Sequence, residues 1–478
     1  MSALKDHLRD LSVRKRALWL FIVGGSIFFT TFLIIWLFTL QGSVGLFFWF
    51  PIFTIILIAL IIFLILGPIL ILADIFISSR KLPSTAKKIA WVFSLICLFL
   101  PIGFLSYVGP HLFHPAGSTK PQLLICDGTG KYDIPDMAVV YWTDQPTKDS
   151  LEWGEGSLSE TIEDKEAKNS HVFVLEDLKP GTEYWYKIND EGDTYKFKTP
   201  LGTENTLKFA VSSDPHFGRP ESSPDITLEL LDQITDSVHN ISTFFMLGDF
   251  VEYGFNDFEW KEGLNKISKY TAEFPMKTAI GNHDTIFFFF FYYKNYFYFE
   301  YMPLDTGSSF WNHIEINKIH FFILDLEWGT ESYSAAQREW FESEIEEVDE
   351  DDWTIVMSHC FFYSSGIMSG GRSWSDHTEM ISTFEDIFID NDVDMVFSGH
   401  NHHAEILEKD GVYYQVVGTF GGLPDPEAEM DSDYSEWYMN MEDDDDFGFF
   451  EVDMNPDNAT LTFRNRDYDS LKEITIER

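Results

Sequence analysis

Three patterns of apolar and polar positions follow one another along the 478 residues. The first is unbroken apolarity. Ala17 to Leu40, Gly45 to Gly67 and Ile89 to Val108 contain no charge, and each is long enough to cross about 30 Å of hydrocarbon as a helix. The second pattern, from about Lys120 to Pro200, is short alternation punctuated by turn residues: Met137 to Trp142, Leu151 to Trp153, Val172 to Leu175, Glu183 to Ile188 and Thr194 to Thr199. Period two in short runs predicts a small β-sandwich over residues 119–200. In the third, apolar runs rich in β-formers alternate with helical periodicity. Leu207 to Val211, Thr243 to Leu247, Met276 to Ile280, Trp353 to Met357 and Val393 to Phe397 read as buried strands. Pro224 to Val238 reads as a helix capped by Ser223, with Leu230, Leu231, Ile234 and Val238 on one face. Asp257 to Tyr270, Ala335 to Val348 and Glu379 to Ile389 read likewise. With further strands at Tyr413 to Val417, Gly448 to Asp453 and Thr460 to Asn465, residues 207–478 are expected to form an α/β domain of two facing sheets with helices outside.

Charge orients the first part. Arg14, Lys15 and Arg16 precede the first apolar run, and Arg80, Lys81, Lys87 and Lys88 separate the second from the third, whereas the connector Gln41 to Val44 is uncharged. The positive-inside rule then makes residues 1–108 a membrane anchor of three helices (about 17–40, 45–67 and 89–108) with a cytoplasmic amino terminus. Residues after about 108 are expected to be extracytoplasmic, at the cell membrane. A cleaved signal peptide competes for the first run, but two further runs make it redundant. The second run continues past Pro68 to Ile77, and Asp74 in that continuation reads as a solvated end residue rather than a transport group. Nine Lys/Arg against three Asp/Glu give residues 1–108 a net +6, so the remainder carries −50 of the chain's −44. Such a surface repels nucleic acid, and no nucleic-acid binding is expected. Three cysteines are too few for a disulfide framework, and Cys360 reads as a packing residue.

Candidate chemistry sits where the buried strands of the third part end. Asp214-Pro215-His216, Gly248-Asp249, Gly281-Asn282-His283-Asp284, His359 and Gly399-His400-Asn401-His402 each follow one of the apolar runs. A side chain that closes a buried strand lies at the carboxyl edge of a sheet, where open α/β folds place their sites. Carboxylates and neutral imidazoles suit Zn, Mn or Fe ions, and one aspartate has two oxygens with which to bridge a pair. Any single motif would be weak; together they specify a two-metal hydrolytic centre.

On these motifs residues 207–465 resemble a calcineurin-like metallophosphoesterase, and Asp392-Val-Asp-Met-Val-Phe-Ser-Gly-His-Asn-His402 is especially similar to purple acid phosphatases. Residues 120–200, through Leu178-Lys-Pro-Gly-Thr-Glu-Tyr184-Trp-Tyr186, resemble the fibronectin type III-like domain that precedes the catalytic domain in that group. The resemblance implies a four-layer α/β (α+β) sandwich, preceded here by the β-sandwich and the three transmembrane helices. It implies two divalent ions (Mn, Zn or Fe), one held by Asp214, His216, Asp249 and His402, the other by Asp249, Asn282, His359 and His400. It implies that His283 assists the leaving group and that Asp284 orients it. Purple acid phosphatases have glycine where His216 stands, and a tyrosine three residues after the bridging aspartate where this chain has Glu252. A purple ferric chromophore is therefore not expected.

Arg219 and Arg372 are candidate contacts for a phosphate oxygen, and Tyr253, His377 and His403 are candidate cleft-wall residues. The aromatic insert from Phe287 to Phe299 reads as a site cover, a substrate grip, a membrane-dipping segment or simple helix packing. The β-sandwich reads as a spacer that packs on the enzyme and holds it off the bilayer, with one edge walling the substrate cleft as the sharper alternative. The function expected is a membrane-anchored phosphatase that hydrolyses phosphate monoesters with metal-activated hydroxide outside the cytoplasm. A phosphodiesterase acting on nucleotides or lipid head groups is the enzymatic alternative. A catalytically silent binding ectodomain is the other, and the intact set of coordinating side chains counts against it.

Overall fold

The computed structural model describes residues 118–478 except 127, 191, 255, 286–307, 309, 370 and 371. The three apolar runs of residues 1–108 and the aromatic insert lie outside the described residues. Among the described residues no helix is long and apolar enough to cross a membrane. The chain divides into two compact units, one of which comprises residues 114–368 and 373–478.

That unit begins with seven strands: β1 (Gln122–Ile125), β2 (Met137–Thr147), β3 (Ser150–Glu155), β4 (Glu160–Glu163), β5 (Lys168–Leu175), β6 (Glu183–Ile188) and β7 (Thr194–Lys198). β4, β3, β6 and β7 form a four-stranded sheet, and β1, β2 and β5 lie side by side in another. Alternation decides what each strand buries. Along β6, Tyr184 and Tyr186 point inward and Trp185 does not. The tyrosines join Leu123, Val139, Leu151, Phe173 and Phe197 in one core between the sheets. The Tyr184 hydroxyl accepts the Lys179 N–H at 2.9 Å, tying the preceding turn to the strand.

Next come β8 (Leu207–Ser212), α1 (Pro224–Thr235), β9 (Thr243–Met246), α2 (Asp257–Thr271), β10 (Met276–Thr278), β11 (Asn312–Ile316), β12 (Ile319–Ile323), α3 (Ala335–Ile345) and β13 (Trp353–Ser358). A short ribbon, β14 (Met368–Ser369) with β15 (Arg372–Ser373), precedes α4 (Thr378–Asp390) and β16 (Met395–Ser398). The chain closes with β17 (His403–Lys409), β18 (Val412–Val417), β19 (Ser435–Asn440), β20 (Gly448–Met454), β21 (Asn458–Asn465) and β22 (Ser470–Glu477).

Two large sheets result, in the orders β22-β21-β20-β8-β9-β10-β1-β2-β5 and β11-β12-β13-β16-β18-β17-β19. β8, β9 and β10 are mutually parallel, as are β12, β13, β16 and β18. Parallel strands covered on both faces read as largely apolar runs, and β9 and β13 are buried at every position. Phenylalanines from the two sheets meet between them. Phe245 of β9 stacks on Phe321 of β12 at 4.7 Å, and Phe209 of β8 meets Phe321 edge-on at 5.3 Å. Leu230, Leu231 and Ile234 of α1 and Trp260, Leu264 and Ile267 of α2 join this same core. Phe341 of α3 and Phe384 and Phe388 of α4 pack with Phe322, Val356 and Val396 of the seven-stranded sheet. The expected helix–sheet–sheet–helix layering is observed.

Three details differ from the sequence reading. α1 stops at Thr235, so Val238 lies beyond it and is 74% exposed. Ser223 stands at the N-cap position of α1, but its hydroxyl makes no capping bond. More consequentially, the β-sandwich does more than pack on the residues that follow it: it shares a sheet with them. β1 pairs in parallel with β10 at Leu124 and Met276, so one sandwich sheet continues the nine-stranded sheet. Polar bonds reinforce the joint: the Tyr186 hydroxyl donates to the Ala272 carbonyl at 2.6 Å, and Gln122 Nε2 to the Leu264 carbonyl at 3.3 Å.

Candidate metal centre

The chemistry-bearing residues fall on the loops that leave the parallel strands. Asp214 follows β8, Asp249 follows β9, Asn282 follows β10, His359 comes directly after β13, and His400 follows β16. Asp214 (φ 65°), His216 (φ 46°), Asp249 (φ 50°) and His400 (φ 73°) all adopt the left-handed backbone region. Non-glycine residues populate that region sparsely, and its recurrence on one rim is the mark of a site that the surrounding fold holds in place.

Their side chains form two donor groups. In the first, Asp214 Oδ1 lies 3.2 Å from His402 Nε2 and 3.6 Å from His216 Nε2, and the two nitrogens are 3.1 Å apart. In the second, Asn282 Oδ1 lies 2.9 Å from His359 Nε2 and 2.7 Å from His400 Nδ1, and these nitrogens are 3.2 Å apart. Asp249 turns Oδ2 to His216 Nε2 at 3.5 Å and Oδ1 to His359 Nε2 at 3.4 Å, one oxygen to each group.

Three of the four imidazoles have the other nitrogen engaged. His216 Nδ1–H donates to the Glu252 carboxylate at 3.0 Å, His359 Nδ1–H to the Leu247 carbonyl at 2.8 Å, and His402 Nδ1–H to the Leu423 carbonyl. With Nδ1–H committed in this way, loss of the second proton from each of these three rings leaves an Nε2 lone pair turned inward, the tautomer a metal ligand requires. Atoms bound at 2.0–2.1 Å to a common ion stand about 2.8 to 3.4 Å apart in octahedral or tetrahedral geometry, and most of the observed separations fall in or close to that range. Asp214 Oδ1 is buried without a hydrogen-bond partner, a second sign that a cation suits this place. The donor set fits two divalent ions.

Electrostatics agree. Burial would raise the carboxyls of Asp214 and Asp249, but His359 and the other imidazoles outweigh it and hold both below the ordinary range. Burial opposes a charged imidazole at His216 and His359, yet the carboxylates raise them to about 10 and about 9. The buried aspartates thus demand positive charge between them, supplied by protons on the rings or by cations, so loading with metal releases protons.

Residues 207–404 match the calcineurin-like phosphoesterase family. They form a calcineurin-like metallophosphoesterase domain. Purple acid phosphatase 21 of Arabidopsis thaliana is 24% identical over 304 residues, covering 62% of this chain and 66% of that protein. Phosphoenolpyruvate phosphatase of Allium cepa is 24% identical over 341 residues, covering 62% of this chain and 67% of that one. The chain spans about two thirds of the length of these relatives. A purple acid phosphatase from yellow lupin (Lupinus luteus) seeds shares the fold, with a TM-score of 0.61 at 18% identity over 76% of this chain and 75% of that one.

Within the metallophosphoesterase domain, all seven expected metal ligands converge, and His283 joins them with its ring 4.7 Å from that of His216. Burial lowers the basicity of His283 against the pull of Asp249 and Glu252. Asp284 departs from expectation. It does not touch the His283 ring: Oδ2 accepts the Gly281 N–H at 3.0 Å and Oδ1 the Val251 N–H at 3.3 Å. It braces two loops, and burial together with nearby Asp249 raises its carboxyl to about 8. Neighbours in sequence point opposite ways on a tight turn. The ring of His283 is held instead by Glu252, whose main-chain carbonyl accepts Nδ1–H at 2.8 Å.

Arg219 is engaged with acids, its Nη1 3.3 Å from Glu252 Oε2 and its Nε 3.7 Å from Glu221. Arg372 opens β15, and its side chain lies outside the described residues. His403 pairs with Glu405 at 3.1 Å, and His377 caps α4 by accepting the Met380 N–H at 3.4 Å, so neither belongs to the donor groups. An aromatic wall went unread in the sequence. Trp328 and Trp374 lie 5.3 and 5.2 Å from the His400 ring, with Phe361 at 6.0 Å. These residues share no motif or spacing, so only folding reveals the group.

Proposed function

We propose that the chain is a membrane-anchored, metal-dependent phosphatase that hydrolyses phosphate monoesters outside the cytoplasm. Asp214, His216, Asp249 and His402 hold one divalent ion, and Asp249, Asn282, His359 and His400 the other. The observation that carries this reading is Asp249, whose two oxygens face two separate donor groups at 3.4 and 3.5 Å. When bound, such a pair lowers the pKa of water from 15.7 to about 7 and offsets phosphoryl charge that the acidic chain would repel. Asp249 sets the spacing of the two groups, and the fixed Nδ1–H bonds of His216, His359 and His402 keep the donors from reorganising when substrate arrives. With Nδ1 committed to the Glu252 carbonyl, His283 has Nε2 for giving a proton to the departing ester oxygen. The Glu252 carboxylate, 3.6 Å from Nδ1, compensates the imidazolium.

Relatives named as phosphatases support the monoester preference. The Tyr184–Lys179 bond and the two-sheet core support a fibronectin type III-like identity for residues 119–200. The anchor rests on the three uncharged runs and their flanking lysines and arginines. The test uses the full chain in detergent, chelated and then returned to Mn or Zn, with an aryl monoester, an aryl diester, nucleotides and phospholipid as substrates. Chelation should abolish turnover, metal should restore it, and the monoester should turn over fastest. Faster diester turnover would overturn the substrate preference, and no hydrolysis with either metal at low or high salt would favour the silent ectodomain. Protease added to intact cells should digest the region after residue 108; protection there would refute the orientation.

A further inference from the structure

Glu252 is buried three residues past Asp249. A single oxygen, Oε2, faces three cationic or donor groups: His216 Nδ1 at 3.0 Å, Arg219 Nη1 at 3.3 Å and His283 Nδ1 at 3.6 Å. His216, Glu252 and His283 alone have the donor types of a further metal site. Arg219 argues against it. A permanent guanidinium beside the same Oε2 already supplies the positive charge, and it cannot be displaced by losing a proton.

The cluster makes sense as a brace. Among the three rings that present Nε2 to the centre, His359 and His402 lean on main-chain carbonyls, which no substitution of the partner removes. His216 leans on a side chain. The Nδ1 bond to Glu252 is therefore the contact that holds the ring direction of His216. A carboxylate partner fixes the tautomer and makes the imidazole a stronger donor, whereas Arg219 keeps that carboxylate from turning away. We propose that Glu252 is a positioning residue that, held by Arg219, sets the affinity of the Asp214–His216–His402 ion independently of the other. This rests on the two-ion reading above.

The experiment titrates metal-free full chain with Zn alone by chelator competition, for the parent, Glu252→Ala, Glu252→Gln, His216→Ala and the double variant His216→Ala/Glu252→Ala. The parent should bind two ions. Glu252→Ala should weaken one of them by roughly 10- to 100-fold and leave the other unchanged. Glu252→Gln, which keeps an acceptor but loses the charge, should fall between and serves if the alanine variant does not fold. In the His216→Ala background, removing Glu252 should add nothing, because its effect runs through that ring. Unchanged binding of both ions in the glutamine variant, equal weakening of both, or additive losses in the double variant would overturn the proposal. Three ions in the parent and two in Glu252→Ala would make Glu252 a ligand and overturn it too. Fewer than two ions in the parent would instead sink the two-ion reading.

Discussion

Gly281 is the position at which a single methyl group should disable the centre. A Cβ built there would stand 2.1 Å from the Asp249 backbone nitrogen and 2.3 Å from its Oδ1. Ordinary contact begins near 3.5 Å, so the overlap exceeds about 1 Å. Neither neighbour can yield cheaply, since one is main chain and the other is the oxygen turned toward His359. Gly281→Ala must therefore move the Asp249 loop or its own by about 1 Å, twice the roughly 0.5 Å tolerance of a catalytic constellation. A displacement of that size costs on the order of 100-fold in turnover, and overpacking costs about 1 to 3 kcal/mol of stability. Gly411→Ala is the control: its φ is +88° but no atom lies within 4 Å of the added carbon. It should lose about 1 to 2 kcal/mol for the left-handed backbone and no turnover. The assay is kcat on an aryl phosphate at saturating metal, with thermal unfolding of each variant. Turnover by Gly281→Ala within a few-fold of the parent would refute the claim that the Asp249 carboxylate works only where the fold now holds it.

Other outcomes follow from the same geometry. Asp249→Asn should abolish hydrolysis, whereas His283→Ala should lower turnover yet leave two ions bound; elemental analysis showing one ion in the latter would refute the division of roles. A fragment starting at residue 202 should aggregate or fail to unfold cooperatively, because it exposes the β10 edge and the carbonyls of Leu264 and Ala272; a soluble fragment with a sharp unfolding transition would count against the joint. Burial raises the Glu259 carboxyl from 4.5 to about 7, although it accepts bonds from Tyr253 N–H and Asn256. A raised folded pKa means its stabilising contribution is full below pH 4.5 and is lost as pH climbs through about 7. Glu259→Gln should therefore flatten the fall in melting temperature between pH 5 and 8, and curves that stay parallel to the parent would contradict the assignment.

Strong periodicity made the central strands readable. Leu207 to Val211, Thr243 to Leu247 and Trp353 to Met357 recur in β8, β9 and β13 within a residue at each end, since strands covered on both faces are mostly apolar. The β11–β12 hairpin was missed. Its turn residues Asn317 and Lys318 both have positive φ (56° and 60°), and a lysine there hides the glycine signal that marks such turns. The continuation of β1 into the nine-stranded sheet was also unreadable, because edge pairing depends on which edge is free rather than on any local pattern. At the site, which donor-bearing residues come together, and in what order, was readable from the residues that close each strand. The partner of His283 was not. Adjacency pointed to Asp284, but backbone direction at the turn hands that task to Glu252, from a different loop.

The left-handed conformation at Asp214, His216, Asp249 and His400 also restricts how this centre can change over evolutionary time. Branched aliphatic side chains fit that conformation poorly, whereas glycine and asparagine fit it well. Drift at these positions should therefore run toward glycine or asparagine, leaving the loop path intact while a donor disappears. A glycine in place of His216 would be one such exchange: it would remove one donor from the Asp214–His216–His402 group while the scaffold kept its path.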